Sequence, residues 1–160
     1  MAKRIYLHLD KCCGCKSCAA ACYFSHHYQT LLGHADVLGA ARLPLHCLHC
    51  DQPSCAAACP NQAMQKEIDT GIVRRSKFMC VGCKSCAAAC PFGVIDINLG
   101  KHIAPKCNLC IDKLRAGEKP RCVQACTSGA LSFEDDDAVA DSNKILLSNR
   151  LQSFALGRRR

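Results

Sequence analysis

Four cysteines and a proline, spaced C-x2-C-x2-C-x3-C-P, run from Cys80 to Pro91 as Cys80-Val81-Gly82-Cys83-Lys84-Ser85-Cys86-Ala87-Ala88-Ala89-Cys90-Pro91. Three thiolates on so tight a loop can grip three irons of one [4Fe–4S] cubane, while the fourth is carried off by a helix start to a neighbouring cluster. Gly82 lets the backbone pass close to inorganic sulfide, and Ala87 to Ala89 let the helix approach without clashing. Pro91 stops that helix. A zinc knuckle seldom compresses four cysteines this far or ends them on proline, so zinc is the weaker alternative.

The stretch from Cys12 to Cys22 repeats it: laid over Cys80–Cys90, ten of eleven positions are identical. Cys13 falls opposite Val81, so Cys12 takes the ligand position and Cys13 is expected to be a small buried hydrophobe. Tyr23 stands where the sister motif has Pro91, so this helix is expected to run on through Tyr28. Beyond it an irregular segment reaches Pro44. Phe24, Tyr28, Leu31 and Leu32 are expected to pack that helix onto a second lobe, with contact to a cofactor as the alternative. His26, His27 and His34 read as surface or interface residues, with ligand or proton-carrier roles as the alternative.

A second motif, Cys47-x2-Cys50-x4-Cys55-x3-Cys59-Pro60, is a longer-looped variant. His49 inside it reads as solvent-exposed, the alternative being a hydrogen bond to sulfur. A fourth, Cys107-x2-Cys110, is followed by an eleven-residue polar gap and then Cys122-x3-Cys126. Short strands are expected at 4–9 and 128–133. Hairpins are expected around Asp69-Thr70-Gly71 and Asn98–Lys101. Glu134 to Asp137 reads as a solvated charged break, and 141–157 as a C-terminal helix capped by Asp141 or Ser142.

Composition narrows the alternatives. The 160 residues include 17 Cys, no Trp and only 5% aromatics, too little bulk for confident apolar cores. The opening Met1–Leu9 is too short and polar for a secretory leader. No run of about 18 apolar residues offers a membrane span. A reducing cytoplasm is therefore expected, where clustered Cys signify metal rather than disulfides. The formal charge of +8 counts every Cys as neutral. Four cubanes at about −2 each would cancel it, and the basic residues lack stacking aromatics, which argues against nucleic acid.

Taken together, the four motifs resemble those of the four-cluster ferredoxin-like electron-transfer subunits. These accompany molybdenum- or tungsten-pterin oxidoreductases, hydrogenases and carbon monoxide dehydrogenase. The resemblance spans about residues 1–134 and implies an α+β fold of two nested dicluster lobes. Residues 1–45 with 104–134 would form one lobe, 46–103 the inserted one, and 135–160 a linker and helix. It also implies four ligand sets with exchanged fourth cysteines. One set is Cys12, Cys15, Cys18 and Cys126, and its companion is Cys107, Cys110, Cys122 and Cys22. In the inserted lobe one set is Cys47, Cys50, Cys55 and Cys90, and the other is Cys80, Cys83, Cys86 and Cys59.

No phosphate-cradling loop, dinucleotide fingerprint or nucleophile–base arrangement is visible. The expectation is a non-catalytic relay of single electrons through four [4Fe–4S] clusters. It would link a catalytic tungsten- or molybdenum-pterin subunit, of which an aldehyde or formate oxidoreductase is an example, to a flavin or ferredoxin acceptor. A hydrogenase or carbon monoxide dehydrogenase partner is the alternative. A zinc-binding or cluster-bearing sensor module is the alternative of another class. Head-to-tail self-association into a longer wire is a geometric option.

Overall fold

The computed structural model describes residues 3–26, 33–37, 41–95, 97, 102–103, 105–115, 117–135 and 144–145, with the backbone alone at 33–37, 41–45 and 144–145. The fold mixes short strands and short helices, an α+β arrangement. β1 (Lys3–His8) pairs antiparallel with β6 (Leu131–Asp135) on one side and with β7 (Lys144–Ile145) on the other. Its register places Leu7 opposite Leu131 at the inner end, and Lys3 and Arg4 opposite Asp135 and Glu134 at the outer end. Opposite charges across a pair favour that register. Ile5, Tyr6, Leu7 and His8 are all buried, because the strand is central and covered on both faces.

Two helical turns face each other twice. α1 (Ser17–Ser25) packs on α4 (Arg121–Gln124), and α2 (Ser54–Ala57) packs on α3 (Ser85–Ala88). One core gathers Ile5, Leu7, Leu109, Val123 and Leu131 around the buried thiols of Cys22, Cys107 and Cys122. A second gathers Met64, Val73, Ala87, Val94 and Ile95, with Cys55, Cys59, Cys86 and Cys90 against it. Cys47 packs on both. Thiol-bearing side chains fill the space that aromatics would fill in an ordinary domain of this size.

The expected hairpin at Asp69–Gly71 is present as β4 (Met64–Lys66) against β5 (Val73–Arg75). Several expectations need correction. The segment before Pro44 is a hairpin, with β2 (Gly33–Val37) antiparallel to β3 (Ala41–Leu45) and Asp36 in register with Arg42. Glu134 and Asp135 lie within β6 rather than in a solvated break, because Arg4 and Lys3 stand opposite them. Lys144 and Ile145 extend the β1 sheet instead of lying in a helix; the rest of that span is outside the described residues. No strand forms at the described residues flanking Asn98–Lys101, itself outside them. Phe24 is 70% exposed rather than covered by a second lobe. Tyr28, Leu31, Leu32 and His27 lie outside the described residues, and of His34 only the backbone is described.

Candidate metal centres

Each Cys loop is bent by residues with positive φ, and the two sister motifs use the same ones. Gly14 and Gly82 sit at φ +68° and +72°, and Lys16 and Lys84 at +61° and +62°, directly before α1 and α3. Left-handed residues set between right-handed ones turn successive N–H groups toward one concavity, a nest suited to an anion. At Gly82 there is a second reason. A Cβ there would stand 2.5 Å from the His102 carbonyl oxygen, whereas one at Gly14 would meet nothing within 4 Å. The Lys84 ammonium donates to that same His102 carbonyl at 2.9 Å.

The folded chain brings remote cysteines together. Cys12, Cys15 and Cys18 line one cavity with Cys126, more than a hundred residues away, and Cys13 borders it too. Cys80, Cys83 and Cys86 line another with Cys59. Cys47, Cys50, Cys55 and Cys90 line a third, of about 190 Å³, beside His49. Cys22, Cys107, Cys110 and Cys122 are all buried, and Cys22, Cys107 and Cys122 share one core. Among the described residues no three Cys, His, Asp or Glu are grouped so as to hold a single metal ion. The sulfurs ring cavities instead, and soft thiolates around a cavity suit an iron–sulfur cubane better than a lone zinc. Cys13 is exposed rather than the small buried hydrophobe expected.

Burial sets the acidity of these thiols. It pushes Cys107 up to about 12 and Cys55 up to about 11, and raises Cys122 still further. Without metal such groups stay protonated, so assembly of a cluster must expel their protons. Cys15 and Cys83, at the surface, shift the other way, chiefly through hydrogen bonds from Ser17 and Ser85. The Ser17 hydroxyl lies 3.4 Å from Cys15 Sγ and the Ser128 hydroxyl 3.6 Å from Cys126 Sγ. These serines were not singled out from sequence, though the recurrent Cys-x-Ser spacing was there to be read. Ala63 N–H donates to Cys59 Sγ at 3.2 Å.

Two histidines depart from expectation. His49 is buried, 5% exposed, because its φ of +49° folds it inward. Its Nδ1 accepts the Val73 N–H at 2.9 Å, which fixes the proton on Nε2. Burial, then the positive charges of Lys106, Arg4 and Lys66, lower its pKa to about 3. The buried Lys106 ammonium donates to the Val73 carbonyl at 2.5 Å and the Cys107 carbonyl at 3.0 Å, so the backbone of Val73 is held at both its N–H and its carbonyl. His26, expected at the surface, is half-buried, with Nε2 3.3 Å from Cys110 Sγ.

Residues 38–136 match the family model for 4Fe–4S dicluster domains. The chain is 34% identical over 147 residues to the B component of anaerobic dimethyl sulfoxide reductase from Shigella flexneri, covering 80% of this chain and 71% of that one. It is 35% identical over 145 residues to the thiosulfate reductase electron transfer subunit PhsB of Salmonella typhi, covering 81% and 74%. With the B component of sulfite dehydrogenase from Allochromatium vinosum it shares 30% over 162 residues, covering 82% and 68%.

Proposed function

The chain belongs to the 4Fe–4S dicluster family, and we propose that it relays electrons through four [4Fe–4S] clusters held by sixteen of its 17 cysteines. It is an electron-transfer subunit without catalytic machinery of its own. The observation that carries the reading is the gathering of cysteines from two distant motifs around each of three cavities, four at two of them and five, Cys13 included, at the third. The proposed ligand sets are Cys12, Cys15, Cys18 and Cys126; Cys22, Cys107, Cys110 and Cys122; Cys47, Cys50, Cys55 and Cys90; and Cys59, Cys80, Cys83 and Cys86. The proposed lobes are 1–45 with 104–134, and 46–103 set within. The facing of α1 on α4 and of α2 on α3 supports that nesting.

Bound there, a cubane supplies reversible one-electron chemistry. The protein's part is to set the energy of each step. The Cys22, Cys107, Cys110 and Cys122 set is screened from water, whereas Cys15 and Cys83 stand at the surface within reach of a partner. N–H and O–H donors on ligand sulfurs stabilise the more negative, reduced state.

The partner proposed is a molybdenum- or tungsten-pterin catalytic subunit, by analogy with the reductases whose subunits the relatives are named for. An aldehyde or formate oxidoreductase, handing electrons to a flavin or ferredoxin acceptor, is the finer form of that proposal. So many reduced thiolates suit a reducing compartment, and the cytoplasm is proposed. No helix among the described residues is long and apolar enough to cross a membrane.

Anaerobic purification of the tagged chain from its native host tests this. The expected result is a co-purifying pterin-bearing subunit whose substrate changes the redox state of the chain's clusters, reducing them where that subunit oxidises its substrate and reoxidising pre-reduced clusters where it reduces it, read by electron paramagnetic resonance. Clusters whose redox state does not respond to substrate with that subunit bound and turning over would overturn the relay. A hydrogenase or carbon monoxide dehydrogenase in its place would correct the partner alone.

A further inference from the structure

The second and third motifs end on Pro60 and Pro91, and their helices stop after four residues, at Ala57 and Ala88. The first motif has Tyr23 instead, and α1 continues to Ser25. This extra turn sets His26 one turn beyond Cys22, on the same face. Its backbone N–H reaches the Cys22 carbonyl at 3.0 Å and the Tyr23 carbonyl at 3.3 Å. From there the imidazole reaches across 84 residues of sequence, with Nε2 3.3 Å from Cys110 Sγ.

We infer that His26 is a positioning residue that donates a hydrogen bond to the Cys110 ligand sulfur and raises the reduction potential of the cluster held by Cys22, Cys107, Cys110 and Cys122. A thiolate bonded to iron has no proton, so it can only accept, and the imidazole must donate. The neutral Nε2–H tautomer and the imidazolium both supply that proton. A donor on the sulfur draws off charge and favours the reduced state.

The contact is braced from the other side of the turn. The Lys113 ammonium donates to the Ser25 carbonyl at the end of α1. Lys113 N–H in turn donates to the Cys110 carbonyl at 2.8 Å, and Cys110 N–H to Asn108 Oδ1 at 3.0 Å. Helix end and ligand turn are thus tied together at the point where the imidazole meets sulfur. A cation at a helix C-terminus also suits the helix dipole. Neither the second nor the third motif builds such a bridge, because its helix stops after four residues.

The inference rests on the ligand assignment proposed above, and the test separates the two. In the anaerobically purified holoprotein, His26→Met keeps the length of the side chain but removes the donor, and His26→Gln keeps an N–H. Redox titration followed by electron paramagnetic resonance should show one of four midpoint potentials falling in His26→Met by about tenfold in the reduction equilibrium, or about 59 mV for one electron. The other three should hold, and His26→Gln should recover most of the shift. Should His26→Met fail to load its iron, the shorter His26→Ala takes its place. Four unmoved potentials in a fully loaded donor-less variant would overturn the inference. So would a Gln variant shifted as far as the donor-less one. Cys110→Ala should lose one iron and give a three-iron signature at the cluster that His26 tunes. Full iron retained in Cys110→Ala would overturn the ligand assignment, whatever the potentials do.

Discussion

Gly14 and Gly82 occupy equivalent positions in a repeated motif, yet replacing them should have different costs. Both have φ near +70°, where a Cβ costs about 1–2 kcal/mol. Gly14→Ala should lose about that much and keep its iron. Gly82→Ala must also displace the His102 carbonyl from 2.5 Å, so it should lose more stability and shed iron from the Cys59, Cys80, Cys83 and Cys86 set. Equal melting temperatures in the two variants would contradict this. His49 gives a prediction in pH. It is neutral in the native chain, with its pKa lowered to about 3, while an unfolded imidazole titrates near ~6.5. Its contribution is therefore fully present above about pH 6.5 and drains away as pH falls toward 3. His49→Gln keeps an acceptor for the Val73 N–H without titrating, so its acid unfolding should begin at lower pH, as followed by circular dichroism. An unchanged onset would count against it. The cysteines were legible at this scale because spacing alone selects them. His26 and His49 were not, since their burial depends on a helix length and a backbone φ that spacing does not encode.

At the scale of elements, the first motif shows what a longer helix can do. Tyr23→Pro should shorten α1 to the length of its sisters, since proline inside a helix costs about 3 kcal/mol. It should lower the same single cluster potential as the His26 variants. Denaturant unfolding and redox titration read the two effects, and a Tyr23→Pro protein of parental stability would contradict the account. β1, β6 and the β4–β5 hairpin were legible from short apolar runs and the Asp69-Thr70-Gly71 turn. The β2–β3 hairpin was not, because Pro44 in its second strand removes a ladder donor and reads as a break. Lys144–Ile145 joined the sheet because β1 has a free edge there, a tertiary demand that helical periodicity cannot show.

For the molecule as a whole, the two cores are small and built largely around sulfur. Burial holds the metal-free thiols of Cys55, Cys107 and Cys122 protonated, and each proposed ligand set joins remote segments, so metal binding becomes folding energy. Removing iron with a chelator under reducing conditions should unfold the chain, abolishing the strand and helix signals in circular dichroism; a near-native spectrum after complete removal would contradict this. The basic excess of +8 is offset once about −2 per cubane is counted. The relay itself stands on the metal content. The most direct measurement is iron and acid-labile sulfide in the anaerobically purified protein. Four cubanes predict about sixteen of each per chain, whereas zinc without sulfide would contradict the relay outright.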